Sequence, residues 1–274
     1  MIAVTGATGG VGGRVARALA SQGQALRLVV RDAARAPDLG AEVAEAQYRD
    51  GAAMRAAFEG AETVYLVSGS ESADRVHEHF SAVDAAAAAG VGRIVYVSFM
   101  GAAPDCVFTF ARDHAATEER IRSTGLAHVF LRSCMYAEYV PLFASAEGVI
   151  QGPAGDGRAA FVSRDDVADV AAAVLRDPAA HAGATYSLTG PAAFTLAEAA
   201  ETITRVTGRR VTYQPETVEE AYASRAHYGA PQFQVDAWVS TYTAIAAGEL
   251  EAVTDDVPRL TGHPATSLAE LVGR

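Results

Sequence analysis

The stretch VTGATGGVGGRV, Val4 to Val15, leaves an apolar run, crosses five glycines and enters an alternating Val/Ala/Arg pattern. Strand, glycines and helix start occur in the order that a dinucleotide pyrophosphate requires. Gly6 makes the tight turn out of the strand, Gly9 lets the backbone approach the phosphates, and Gly12 lets the following helix pack closely on the sheet. The helix N-terminus then faces the phosphate charge. The expected contacts of this loop are Gly6, Thr8, Gly9, Gly10, Val11 and Gly12.

The flanking sequence repeats the theme. MIAVTG, ALRLVVR, AEVAEAQY, ETVYLVSG, GRIVYVSF and AHVFLRS read as strands, with alanine-rich helical stretches between them. Their apolar residues are consecutive, as in parallel strands covered on both faces. The alternation predicts an α/β, doubly wound parallel sheet. The crossover SADRVHEHFSAVDAAAAAG stops at Gly90. Its His77 and His79 are one residue apart on a helix and point apart, so no metal site is expected.

The end of the second strand bears on the choice of dinucleotide. An NAD site usually places a carboxylate there for the ribose diol, whereas this chain has Arg31 and, four residues on, Arg35. Two guanidinium groups suit a 2′-phosphate, which favours NADPH. Asp32 keeps NAD as one alternative, and arginines that are simply solvated surface are the other.

After Arg132 the rhythm changes. FVSRDDVADVAAAVL sets Val167, Val170, Val174 and Leu175 on one helical stripe, and TLAEAAETITRVTG has Thr195 and Glu198 at capping-box spacing with Gly208 as its stop. Val211 to Leu250 reads as helical with interruptions at Pro215 and Pro231. Its Tyr222, Phe233, Trp238 and Tyr242 are either a lid or ordinary core. The expected division is a dinucleotide-binding domain at 1–134, to which 158–190 returns, and a smaller, mainly helical substrate region at 135–157 and 191–274.

Half of the 274 residues are apolar, enough for a sizeable core. A net charge of -11 argues against a nucleic-acid surface. No run approaches the roughly 20 apolar residues that span a bilayer. With no charged leader before the first strand, a cytoplasmic protein is expected. Cys106 and Cys134 lie far apart and read as small buried hydrophobes. All 22 basic residues are arginine, so there is no lysine for Schiff-base chemistry or for tuning a tyrosine.

VTGATGGVGGRVARAL, VVRDAARA, DAAAAAGVGRIVYVSF, LRSCMYAE and FVSRDDVADVAAAVL together resemble the NmrA-like atypical short-chain dehydrogenases, and within them the NADPH-dependent quinone oxidoreductases. The resemblance runs through nearly the whole chain. It implies a Rossmann domain with a small substrate domain, NADPH as cofactor, and quinone-like small molecules as hydride acceptors. The family also contains NADP(H)-binding sensors without turnover, which is the alternative. A homodimer is compatible with this reading, and the sensor alternative would pass redox state to a protein partner. Departures from the family pattern are Ser133 and Cys134 in place of Asn/Pro-Gly, Gln47 for aspartate and Ser81 for asparagine.

Ordinary short-chain dehydrogenases use a Tyr-x-x-x-Lys pair, which a chain without lysine cannot form. His114 stands where related reductases carry lysine or histidine. It is a contact to the cofactor ribose, a proton donor to a reduced quinone oxygen, or else a helix-surface histidine. Ser98, at the end of the fifth strand, and Tyr136, after the sixth, join His114 as candidate catalytic contacts. Val67, Ser68 and Gly69 are expected near the adenosine, and Phe99 and Met135 beside the nicotinamide.

Overall fold

The computed structural model describes residues Met1–Arg274. The chain forms two compact units: Met1–Ser98, Asp113–Arg132 and Val167–Tyr186 make the first, and Phe99–Arg112, Ser133–Asp166 and Ser187–Arg274 the second. The bounds differ from those read in the sequence chiefly at Phe99–Arg112. This segment leaves the sheet where its strand ends and folds with the second unit. No helix is long and apolar enough to cross a membrane.

The strands are β1 (Ile2–Thr5), β2 (Leu26–Val30), β3 (Glu42–Glu45), β4 (Thr63–Leu66), β5 (Arg93–Phe99), β6 (Ala127–Ser133), β7 (Val149–Gly152), β8 (Arg158–Ala159), β9 (Thr185–Leu188), β10 (Phe194–Thr195) and β11 (Thr212–Pro215). The helices are α1 (Gly12–Ser21), α2 (Gly51–Phe58), α3 (Arg75–Ala88), α4 (Thr109–Ser123), α5 (Arg164–Arg176), α6 (Leu196–Thr207), α7 (Val218–Arg225), α8 (Gln232–Ala246), α9 (Asp256–Thr261) and α10 (Leu268–Val272).

The main sheet runs β3-β2-β1-β4-β5-β6-β9. β1 pairs in parallel with β2 on one side and with β4 on the other. The strand order therefore reverses at β1/β4, the crevice where open α/β sheets bind ligands. Ile2 to Thr5 are all buried, as are Thr63 to Leu66, which explains their unbroken apolar reading. Met54, Phe58, Val83, Ile94, Ile121 and Phe130 close the core of this unit.

In the second unit β7 pairs in parallel with β11, and β8 pairs antiparallel with β10. β11 corrects the reading of Val211 to Gln214 as helix. Val211, Thr212 and Tyr213 favour an extended backbone, and here a neighbouring strand accepts them. The capping box on α6 is present in both directions, with Gly208 left-handed at its end. Of the four aromatics weighed as lid or core, only Tyr242 is buried; Tyr222 is exposed, while Phe233 and Trp238 are half-buried.

Candidate functional site

The glycine turn sits at the β1/β4 crevice. Gly6 adopts φ +62°, open to residues without a side chain, and its carbonyl accepts the Gly9 N–H at 2.8 Å. A Cβ on Gly12 would stand 2.4 Å from the Gly6 carbonyl oxygen and 2.7 Å from that of Thr5, so only glycine lets α1 begin against the strand end. Thr8 and Gly9 are exposed, whereas Val11 and Gly12 are buried. The Val11 side chain packs inside the turn, and Gly12 opens α1 directly against it. α1 has no side-chain N-cap and no acidic residue in its first turn; the Gly13 N–H is taken by the Gly9 carbonyl at 3.1 Å, which leaves the N–H groups of Gly10, Val11 and Gly12 for an anion.

At the exit of β2, Asp32 accepts the Ala34 N–H at 3.0 Å and so caps the turn Ala33–Arg35, while Glu45 accepts the Ala33 N–H. One oxygen of the residue that kept NAD in play is thus engaged in the turn. Arg31 and Arg35 are exposed and form no ion pair.

The segment after β4 is tied down by side chains. Tyr48 Oη lies 2.6 Å from Thr5 Oγ1 and donates to the Val67 carbonyl at 2.5 Å; Thr5 Oγ1 also accepts the Val67 N–H at 2.9 Å. His79 Nε2 accepts the Gly69 N–H at 2.8 Å, and Arg75 Nε donates to the Gly69 carbonyl at 3.1 Å. Arg75 is 5% exposed and also reaches Asp113 at 3.1 Å and His114 Nε2 at 3.0 Å. Sequence reasoning missed Arg75, His79 and Tyr48. The i, i+4 spacing of Arg75 and His79 on the first turns of α3 was the available signal.

This network corrects the reading of His114. A guanidinium only donates, so Nε2 of His114 accepts, and the ring proton on Nδ1 is given to Tyr96 Oη at 2.8 Å. His114 is 6% exposed. Burial, then the Arg75 charge, holds its imidazole well below the usual range. His79 is pushed down to about 3 by the same two causes. Both rings are held neutral, with both ring nitrogens of His114 already partnered inside the protein. Both histidines charge more readily unfolded than folded, so their contribution to stability is complete above about pH 6.5 and is lost as pH falls from there toward 3. The expected outcome is a melting temperature that drops between pH 6.5 and 4.5, and a pH–rate profile without a histidine inflexion. An inflexion near pH 6.5 that vanishes in His114→Gln would sink the assignment.

Ser98 is likewise corrected. It is 1% exposed and donates to Glu118 Oε1 at 2.6 Å. Glu118, also 1% exposed, takes Arg132 bidentately at 2.8 and 2.6 Å and Arg122 at 3.0 Å. The serine hydroxyl serves a buried carboxylate.

In the second unit, Phe99 packs on Phe108 with ring centroids 4.9 Å apart, and Phe108 meets Phe110 edge-on at 5.9 Å. Tyr136 is half-buried beside Tyr139, with the Arg164 guanidinium over both rings. Burial raises the Tyr136 hydroxyl above its ordinary range, so it stays protonated at neutral pH. Met135 is half-buried. Cys106 and Cys134 are both buried, and burial pushes the Cys134 thiol up to about 12.

A sequence model of the NmrA-like family matches residues 1–240. The chain is 31% identical over 276 residues to the NAD(P)H azoreductase of Xenophilus azovorans, across 98% of this chain and 96% of that protein. Among solved structures it is similar to the NADPH-dependent quinone oxidoreductase of Escherichia coli complexed with NADPH, with TM-score 0.90 and 36% identity over 99% of this chain and 98% of that one. It is also similar to the Citrobacter sp. triphenylmethane reductase complexed with NADP(H), with TM-score 0.87 and 32% identity over 99% of each chain.

Proposed function

The chain belongs to the NmrA-like family, and we propose that it works there as an NADPH-dependent oxidoreductase acting on quinones or similarly electron-poor acceptors. The observation that carries the cofactor reading is the pairing of a turn only glycine can make, at Gly12, with two unpaired exposed guanidinium groups at the β2 exit. The leading N–H groups of the turn and of α1 hold the pyrophosphate, Arg31 and Arg35 the 2′-phosphate, and Val67 to Gly69 the adenosine side.

Bound NADPH supplies the hydride. The chain's own residues position and shield more than they exchange protons. His114 is neutral and committed on both ring nitrogens, Ser98 is committed to Glu118, and no lysine exists. A quinone needs no more, because its reduced oxygen is stabilised by its own ring, and alignment of the two rings at near-attack distance accounts for most of the rate. Met135 and Tyr136, both half-buried, offer apolar and aromatic surface suited to a flat acceptor, with the Tyr136 hydroxyl as its polar contact and the buried Phe99 ring packed on Phe108. The cytoplasm, where reduced nicotinamide is made, is the proposed compartment. The azoreductase and the triphenylmethane reductase among the similar proteins are also reductases of small organic acceptors.

The test is loss of reduced-nicotinamide absorbance on adding a panel of quinones and aldehydes. Quinone-dependent oxidation is expected; tight NADPH binding without oxidation by any acceptor would turn the reading to a sensor. Arg31→Glu is expected to weaken NADPH about 100-fold, from lost charge-assisted bonds plus repulsion, and NADH less than about threefold. Equal weakening of both cofactors would refute the 2′-phosphate assignment.

A further inference from the structure

Both backbone polar groups of Val67 are taken by side chains, the N–H by Thr5 and the carbonyl by Tyr48. Both of Gly69 are taken too, the N–H by His79 and the carbonyl by Arg75. Between these clamped residues, Ser68 is half-buried, and neither its peptide groups nor its hydroxyl makes a hydrogen bond within the protein. Successive residues of an extended segment face opposite ways, so fixing 67 and 69 inward turns 68 outward. All of these residues belong to the first unit, and a Cβ on Gly6 would touch Val67 Cβ at 3.3 Å, so the segment adjoins the glycine turn.

The clamp is built from groups that are expensive to bury. A guanidinium 5% exposed and two histidines at 0% and 6% are costly unless every donor meets an acceptor. Here they do. Arg75 donates to Gly69, Asp113 and His114, and His114 gives its proton to Tyr96. His79 gives its Nδ1 proton to Thr117 Oγ1 at 2.8 Å, and Thr117 donates to the Asp113 carbonyl at 2.7 Å. Each ring has one workable tautomer, so the network is whole or broken, with little in between.

We infer that Arg75, His79 and His114 form a buried latch that presents Ser68 as the hydrogen-bonding contact to the adenosine half of the cofactor. His79 and Arg75 are positioning residues in it and Ser68 is the contact. The inference rests on the cofactor reading above. It predicts coupling between residues that do not touch the same atoms.

The test is a double-mutant cycle on NADPH binding by calorimetry. Ser68→Ala and His79→Leu are each expected to raise Kd about tenfold, and the double variant no more than the larger single change, because the leucine has already misplaced the serine. His79→Gln places an oxygen near the former Nε2 and is expected to recover binding to within about threefold. In turnover, His79→Leu raises the KM for NADPH by a larger factor than it lowers kcat. A His79→Leu protein that binds NADPH as tightly as wild type, or a double variant whose losses multiply to about 100-fold, overturns the latch while leaving the cofactor reading intact. Wild-type protein that binds no NADPH overturns both. Should His79→Leu not fold, nitrogen NMR on the wild type decides: Nδ1–H tautomers at His79 and His114 with a slowly exchanging Gly69 amide support the latch, and an Nε2–H tautomer at His79 overturns it.

Discussion

Alanine at Gly12 is expected to abolish measurable NADPH binding and to lower the melting temperature by about 4–10 °C. The added carbon would lie 2.4 Å from one backbone oxygen and 2.7 Å from another, and neither can swing aside as a side chain can. Relief comes only if the start of α1 moves away from the end of β1. Overpacking of this kind costs about 1–3 kcal/mol, and a chain of this size loses roughly 2–4 °C for each kcal/mol. The binding loss is larger, because the same movement withdraws the leading N–H groups from the phosphates. Two charge-assisted bonds at about 1.5–3 kcal/mol each amount to a factor of a hundred or more. Gly9→Ala is the control: its Cβ would lie 3.2 Å from the Gly6 oxygen at an exposed position, so the fold should survive with little change. Calorimetric titration with NADPH and differential scanning calorimetry check both. Gly12→Ala that binds with near wild-type affinity would remove the geometric basis of the site.

Leucine at Glu118 is expected to cost about 2–4 kcal/mol of stability without entering the cofactor site. The carboxylate is 1% exposed and is the shared acceptor for Ser98, Arg122 and Arg132. Removing one partner of a buried pair costs about 3–5 kcal/mol when the other charge stays dry. The cost is less here, because the side chains of Arg132 and Arg122 are 24% and 42% exposed and can recover part of their hydration. Glu118→Gln keeps an acceptor for Ser98 and should lose only about 1–2 kcal/mol. Urea unfolding of the three proteins orders them, and a leucine variant as stable as wild type would mean the cluster contributes nothing net.

What was legible in the chain was local. The turn at Gly6, the start of α1 and the capping box at Thr195 and Glu198 each involve residues within a few positions of one another, and their backbone demands are visible as glycine and as hydroxyl-to-carboxylate spacing. The apolar runs of β1 and β4 told of burial on both faces before any strand was placed. Val211 to Gln214 misled because a short β-branched run next to helical sequence has no local arbiter; the partner strand lies some 60 residues earlier at Val149–Gly152.

The candidate polar contacts misled for the same reason on a larger scale. His114 and Ser98 sit at the strand and helix positions where an α/β site presents its chemistry, and their side chains are there, yet each is already spent on a distant partner. His114 meets Arg75 39 residues away, and Ser98 meets Glu118 20 residues away.

The chain alone therefore determined the doubly wound fold, the glycine turn between its first strand and first helix and the cationic exit of β2, because each follows from the conformational freedom, periodicity or charge of neighbouring residues. Only the tertiary structure decided which polar groups remain available to a ligand and which are consumed inside the protein. That choice depends on burial and on hydrogen-bond partners brought together across the sheet, and neither is written in any short segment.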